Sequence, residues 1–95
     1  MKIMTLLSDK YEVEYTINLS LMIMCYMNSS DNMYGLKIVY NTHGTLEDYI
    51  ILGSLKEHPN LYEECHNLQM IIHDFLSSNE TSIVVTDTDF CSKLK

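Results

Sequence analysis

The sequence predicts a small α+β domain, an α/β fold in the broad sense, and three observations carry that reading. Tyr11 to Leu19 alternates apolar and polar residues with the period of two that belongs to a half-buried strand. Leu61, Cys65, Leu68, Ile72, Phe75 and Leu76 follow one another at 4-3-4-3-1 spacing, the apolar stripe of an amphipathic helix. Ninety-five residues, 46% of them apolar, supply one core and not two.

Taken in order, residues 2–7 are mostly apolar and Ser8-Asp9-Lys10 forms a polar turn, so this segment pairs with the Tyr11 strand through a loop of about three residues. At Ser20 the alternation stops. LMIMCYM follows a hydroxyl that can cap a helix and precedes the breaker run NSSDN. A strand continuing through all of it would far exceed the usual length of about five or six residues, so the pattern predicts a short buried helix over Ser20–Met27. Leu36–Tyr40 alternates again as a third strand, with Gly35 at its entry.

Thr45-x-x-Asp48 reads as a variant capping box, Glu47 and Asp48 suit the positive end of a helix dipole, and Pro59 lies just past the end, which predicts a second helix from Thr45 to about Glu57. Within it Gly53 would cost about 1 kcal/mol relative to alanine unless another backbone packs closely against it. Asn60-x-x-Glu63, a further capping box, opens the long amphipathic helix. SIVVT, Ser82–Thr86, can form a short fourth strand, and TDTDFCSKLK reads as an acidic tail. The expected architecture is a three-stranded sheet with helices in the order β-β-α-β-α-α and a short C-terminal strand, one domain over residues 1–80 with residues 81–95 as strand or flexible tail.

Six lysines and no arginine face thirteen acids, a net charge of −7. That charge repels phosphates and anionic lipid surfaces, so neither nucleic acid nor membrane is an expected partner. No apolar run approaches the roughly 20 residues of a membrane span. Three cysteines without a CxxC spacing favour a reducing compartment, and MKIMTLL is too short for a signal peptide before the charged SDKYE; the expected location is intracellular, cytoplasm or nucleus. Absent Ala, Arg and Trp beside many Asn, Ile, Tyr and Met resemble AT-biased codon usage, as in some viruses or parasites.

No constellation of catalytic residues stands out. Cys65 and His66 are adjacent, and adjacent helix residues point about 100° apart; Cys65 lies on the apolar stripe and reads as a packed core thiol. His66, Met70, His73 and Ser77 share the opposite face, where two histidines seven apart cannot reach one metal. Asp87 and Asp89 resemble the alternate acids of a calcium loop, yet the glycine and terminal glutamate of that loop are missing. No catalytic, cofactor or metal residue is therefore expected, and the role read from the chain is non-enzymatic. Seven Met and seven Tyr are the more telling feature, because both residue types are favoured at protein-binding surfaces. Met22, Met24 and Tyr26, in an apolar segment too short to be wholly internal, are the first to face a partner.

The LLSDKYEVEYTI hairpin, the SLMIMCYM segment, the LKIVY strand, the TLEDYIILGSLKEH segment and the Phe75-Leu76 pair closing the long helix together resemble the BTB/POZ fold in its smallest form, that of Elongin C and the Skp adaptors of cullin-RING ubiquitin ligases. The resemblance spans about residues 2 to 78. It implies a ubiquitin-ligase adaptor that links a cullin-type scaffold to a receptor subunit, or that self-associates as a homodimer. The loop and strand from Asn28 to Tyr40, with Tyr34 and Tyr40, would face the scaffold, and Met70, His73, Phe75 and Leu76 would border the receptor site. With Tyr26 and Met27 these make eight candidate partner-binding residues. Where the family places two small residues ahead of the aromatic-Leu pair, this chain has Ile71-Ile72-His73-Asp74, which fills or reshapes the receptor pocket. Rival readings are a small acidic viral or phage inhibitor acting by surface or nucleic-acid mimicry, whose affinity would fall steeply with salt, a ubiquitin-like fold, and a cysteine-dependent enzyme, which would need an exposed, thiolate-prone Cys65.

Overall fold

The strand β1 (Ile3–Ser8) sits at the centre of one sheet of a small α+β domain, with β2 (Val13–Asn18) antiparallel on one side and β6 (Ser82–Thr86) parallel on the other. A computed structural model describes residues 1–41 and 45–91. A second sheet is an antiparallel meander of β3 (Met22–Ser30), β4 (Met33–Asn41) and β5 (Thr45–Ser54). One long helix, α1 (Leu61–Ser77), and a short one, α2 (Asp87–Phe90), complete the order β-β-β-β-β-α-β-α among the described residues.

The β1–β2 hairpin follows the alternation of the sequence, with Leu6 opposite Tyr15 and Ser8 opposite Val13. Its loop has four residues, Asp9 to Glu12, and Glu12 adopts the left-handed region at φ 56. Tyr11 belongs to this turn, not to β2, and its side chain is folded inward and buried.

Two predicted helices are strands. Over Ser20–Met27 the helix is replaced by a single 3-10 turn, Leu19–Leu21, followed by β3. The Ser20 hydroxyl accepts from the Lys2 backbone N–H at 2.7 Å instead of capping a helix, and Asn18 Oδ1 caps the short turn through Ser20 N at 3.0 Å. The run NSSDN is not a loop: Asn28 to Ser30 finish β3, and only Asp31 and Asn32 turn, at φ 49 and φ 66. Two successive left-handed residues match the right-handed twist of the flanking strands, so this dipeptide closes a tight hairpin.

Over Thr45–Glu57 the helix is replaced by β5, which pairs along β4 from Asn41–Thr45 to Met33–Ser54. Gly53, costly in a helix, serves here for close approach: a Cβ on it would lie 3.3 Å from His58 Cδ2 and 3.5 Å from Leu61 Cδ2. The backbone then folds back, His58 N donating to the Ser54 carbonyl at 2.8 Å. Two three-stranded sheets thus stand where one was expected. TDTDF also differs from a loose tail, since β6 is paired and α2 carries a capping box between Thr86 and Asp89; residues 92–95 of that predicted tail lie outside the described residues.

The long helix falls where its stripe predicts, although Asn60 makes no side-chain cap. Leu61, Cys65, Leu68, Ile72 and Phe75 are buried in one core with Leu36, Ile38, Ile50 and Ile51 of the meander and Met4, Leu6 and Val85 of the first sheet. Each leucine or isoleucine removed from water there contributes about 1.5–3 kcal/mol. Gln69 Nε2 donates to the Cys25 carbonyl at 2.9 Å and fastens α1 to β3. At the helix C-terminus the Lys2 ammonium complements the negative dipole end, donating to the carbonyls of Phe75 at 3.1 Å, Ser78 at 2.6 Å and Glu80. No helix among the described residues is long and apolar enough to cross a membrane.

Candidate functional site

The first polar concentration surrounds Glu64, in the first turn of α1 and fully buried. A carboxylate removed from water needs donors. Lys10 Nζ supplies them at 2.7 and 2.9 Å, and the Tyr11 hydroxyl donates to Oε1 as well. The Tyr11 ring lies 4.8 Å from the His58 ring and 6.3 Å from that of Phe90. Burial first, then the hydrogen bond to Glu64 and its charge, pushes the phenol far above its ordinary range. Tyr11 is thus fixed as a donor. A cleft of about 430 Å³ opens beside it, with Lys10, Glu57 and His58 on its walls.

Asp87, at the start of α2, holds the same hairpin turn from the other side. Its carboxylate accepts from Ser8 Oγ, from the backbone N–H groups of Asp9 and Lys10 at 3.1 Å each, and from Cys91 Sγ at 3.6 Å. Partial burial works against its charged form, but those donors outweigh it and hold the carboxyl below its usual value. The chemistry of both acids is consumed in pinning the turn.

Cys65 is fully buried, and its thiol is pushed up to about 12 by burial, then by the charge of Glu64 and by Cys25. Burial likewise raises Cys91 to about 12, with Glu64 and Asp87 adding to it, and Cys25 to about 11. Such thiols carry almost no thiolate near neutrality, so none is poised as a nucleophile. Among the described residues no group of three or more metal-binding side chains comes together.

The exposed apolar side chains form a different kind of site. Leu21, Ile23 and Met24 are 46%, 53% and 51% exposed at the start of the edge strand β3. A register shift between Met22 and Met24 leaves Ile23 out of the ladder, so the consecutive Ile23 and Met24 are both in solvent. On the other side of the chain's last turns, two hollows of about 410 and 270 Å³ share Ile71 of α1 and Ile83 of β6. Val84, 60% exposed, lines the larger one.

No protein-family model, curated protein or solved structure matches the chain.

The eight residues proposed from sequence are divided between the meander and α1. Tyr26, Met27, Tyr34 and Tyr40 are half-buried on β3 and β4, and Met27, Tyr34 and Tyr40 pack against the core. Tyr34 meets the exposed Tyr62 edge-on at 6.3 Å. On α1, Met70 and His73 are exposed, Leu76 is half-buried, and Phe75 is buried while lining the smaller hollow. The structure therefore brings Phe75 to the α1–β6 hollows and leaves the tyrosines elsewhere. Sequence reasoning missed Leu21 and Ile23 because it placed them inside a helix, and missed Val84 because nothing in SIVVT tells which side of the strand stays open.

Proposed function

We propose that this chain is a non-enzymatic protein-interaction module that acts as an adaptor. The observation that carries the reading is the exposure of Leu21, Ile23 and Met24 where the 3-10 turn runs into the edge strand β3. Three large apolar side chains within four residues, each about half in water, are what a partner would cover. Met4, Leu6, Leu36, Ile38, Ile51, Leu68 and Ile72 already form a sealed core, so these three side chains are left in water beside an interior that is packed without them. The polar centre at Glu64, by contrast, has its donors and acceptors matched internally.

The proposal stands on surface and not on the BTB/POZ resemblance, because the segments Ser20–Met27 and Thr45–Glu57 that the resemblance takes as helices are strands. A cullin-type scaffold or a receptor subunit is one partner class among those a capture experiment would reveal.

The test is affinity capture with the full chain beside its Ile23→Ser/Met24→Ser variant, followed by mass spectrometry. Proteins retained by the wild type and lost from the variant, with an unchanged circular dichroism spectrum, support the reading. Identical retention by both would overturn it.

A further inference from the structure

Four strand edges border the two sheets among the described residues, and three carry features that discourage another strand. β2 carries Glu14, β3 has its bulge at Met22–Met24, and β5 carries the exposed Asp48. β6 has none of these. Its sequence, SIVVT, lacks charge, proline and bulge and is rich in residues suited to strands.

The direction of its unpaired groups follows from its register. Ile3 N donates to the Thr81 carbonyl at 2.9 Å, and Ile3 pairs with Ser82 in a parallel ladder. In such a ladder alternate residues turn their backbone groups to the same neighbour. Thr81, Ile83 and Val85 therefore serve β1, while Ser82, Val84 and Thr86 point the other way. Thr86 confirms the phase: its N–H is taken by Asp89 Oδ2 at 2.8 Å, which closes that end of the edge. Ser82 and Val84 are left with outward N–H and C=O groups, and no strand among the described residues pairs there.

Beside this edge run the two hollows that share Ile71 and Ile83, with an apolar floor and an acidic rim. Asp89 borders one, Asp74 and Glu80 the other. No lysine lines either hollow among the described residues, and the Lys2 ammonium at the end of α1 is engaged by the backbone carbonyls of Phe75, Ser78 and Glu80. The chain as a whole carries −7. An occupant must satisfy backbone groups in a line, place an apolar side chain in the groove and meet a negative rim.

We infer that the open edge of β6 and the groove along α1 bind an extended segment of a partner protein bearing alternate apolar and lysine or arginine residues, which adds to β6 as a further strand. The inference rests on the reading of the chain as a protein-binding module and gives it a second surface, separate in sequence from the β3 cluster. A second copy of the chain would fit the edge less well, because its own rim would bring acids against acids.

The probe is a short synthetic peptide alternating valine and lysine, followed by fluorescence anisotropy on the full chain and by amide hydrogen exchange. Binding should weaken about tenfold or more when lysine is exchanged for glutamate, when alternate peptide amides are methylated, and in the Val84→Pro variant, which removes an outward donor and leaves the β1 ladder its own. An Asp74→Asn/Glu80→Gln variant, which leaves the edge intact, should bind several-fold more weakly and respond less to salt. The amides of Ser82 and Val84 should gain protection on binding. Equal binding of the methylated peptide, or protection that appears on β3 and not on β6, would overturn the inference while leaving the adaptor reading in place. A wild-type dimer that dissociates on Val84→Pro would assign the edge to a second copy and overturn it too. Failure of the Ile23→Ser/Met24→Ser test above, with peptide binding intact, would instead remove the β3 surface and spare this one.

Discussion

The Tyr11 hydroxyl donates its hydrogen to the buried carboxylate of Glu64, which Lys10 also reaches from the same turn. Two consecutive residues of one hairpin turn thus satisfy a buried carboxylate in the first turn of α1, Lys10 with its charge and Tyr11 with a hydrogen bond. The asymmetry of exposure decides what substitution does. Lys10 reaches in from the surface and could return to water, whereas Glu64 is sealed. Lys10→Met removes the cation from a buried carboxylate and should cost about 3–5 kcal/mol. Glu64→Gln keeps an oxygen for Tyr11 and should cost less. In the double variant most of the loss from Lys10→Met should be recovered, and urea unfolding of the four proteins gives the coupling directly.

Tyr11→Phe isolates the phenol's share of the same cluster. It deletes one hydrogen bond to a charged acceptor while keeping the ring against His58 and Phe90. The expected loss is about 1.5–3 kcal/mol, measurable as a lower urea midpoint with an unchanged slope.

Asp87 ties the turn to α2, and its stability contribution has a pH window. Its carboxyl is held below the ordinary value of 3.8 in the folded chain. A group depressed in this way stabilises above the unfolded value and stops doing so as pH falls through the folded one. Asp87→Asn should therefore cost about 1 kcal/mol at pH 7, modest because the carboxylate is partly solvated. The difference from wild type should shrink as pH falls from 4 towards 2. Thermal melts across that range provide the check.

The legible parts of this fold were those whose side chains obey one period without interruption. β2 alternates and α1 keeps its stripe, so both were readable. β3 and β5 broke the rule for a physical reason: each hairpin contains a register shift. At Met22–Met24 the shift leaves Ile23 and Met24 both outside, and near Leu36–Lys37 it allows consecutive Ile50 and Ile51 both to be buried. Alternation disappears at a bulge, and an uninterrupted apolar run looks helical. The buried Glu64 was equally hidden, because the side chains that make its burial tolerable come from more than fifty residues earlier. One local signal was available in Asp31-Asn32, since both residue types tolerate the left-handed conformation that a tight hairpin demands.

That turn can be tested on its own. Asn32 sits at φ 66, a conformation in which a β-branched residue suffers about 1–2 kcal/mol. Asn32→Val should lose about that much. Asn32→Gly should be neutral or gain about 0.5 kcal/mol, because asparagine already accepts the geometry well. If β3 were a helix and these residues a loose loop, neither substitution would register in the melting temperature.

The three thiols provide a test at the alkaline end, and its sign is opposite to that of Asp87. Cys25, Cys65 and Cys91 are raised from an ordinary 9 to about 11, 12 and 12, chiefly by burial. Unfolding returns each thiol to the lower value, so above pH 9 the unfolded chain releases protons that the folded chain retains. Folded stability is then fully present below pH 9 and declines as pH climbs towards 12. Tyr11, also raised, adds to the decline from about 10 upward. The urea midpoint should be level between pH 7 and 8.5 and fall steadily beyond. Cys65→Ala should flatten the fall but lower the plateau, since it leaves a cavity in the core beneath α1. Alkylation by iodoacetamide at pH 8 reads the same burial kinetically: Cys65 should be labelled only as fast as the chain opens, and rapid labelling in the absence of denaturant would contradict the packing described for it.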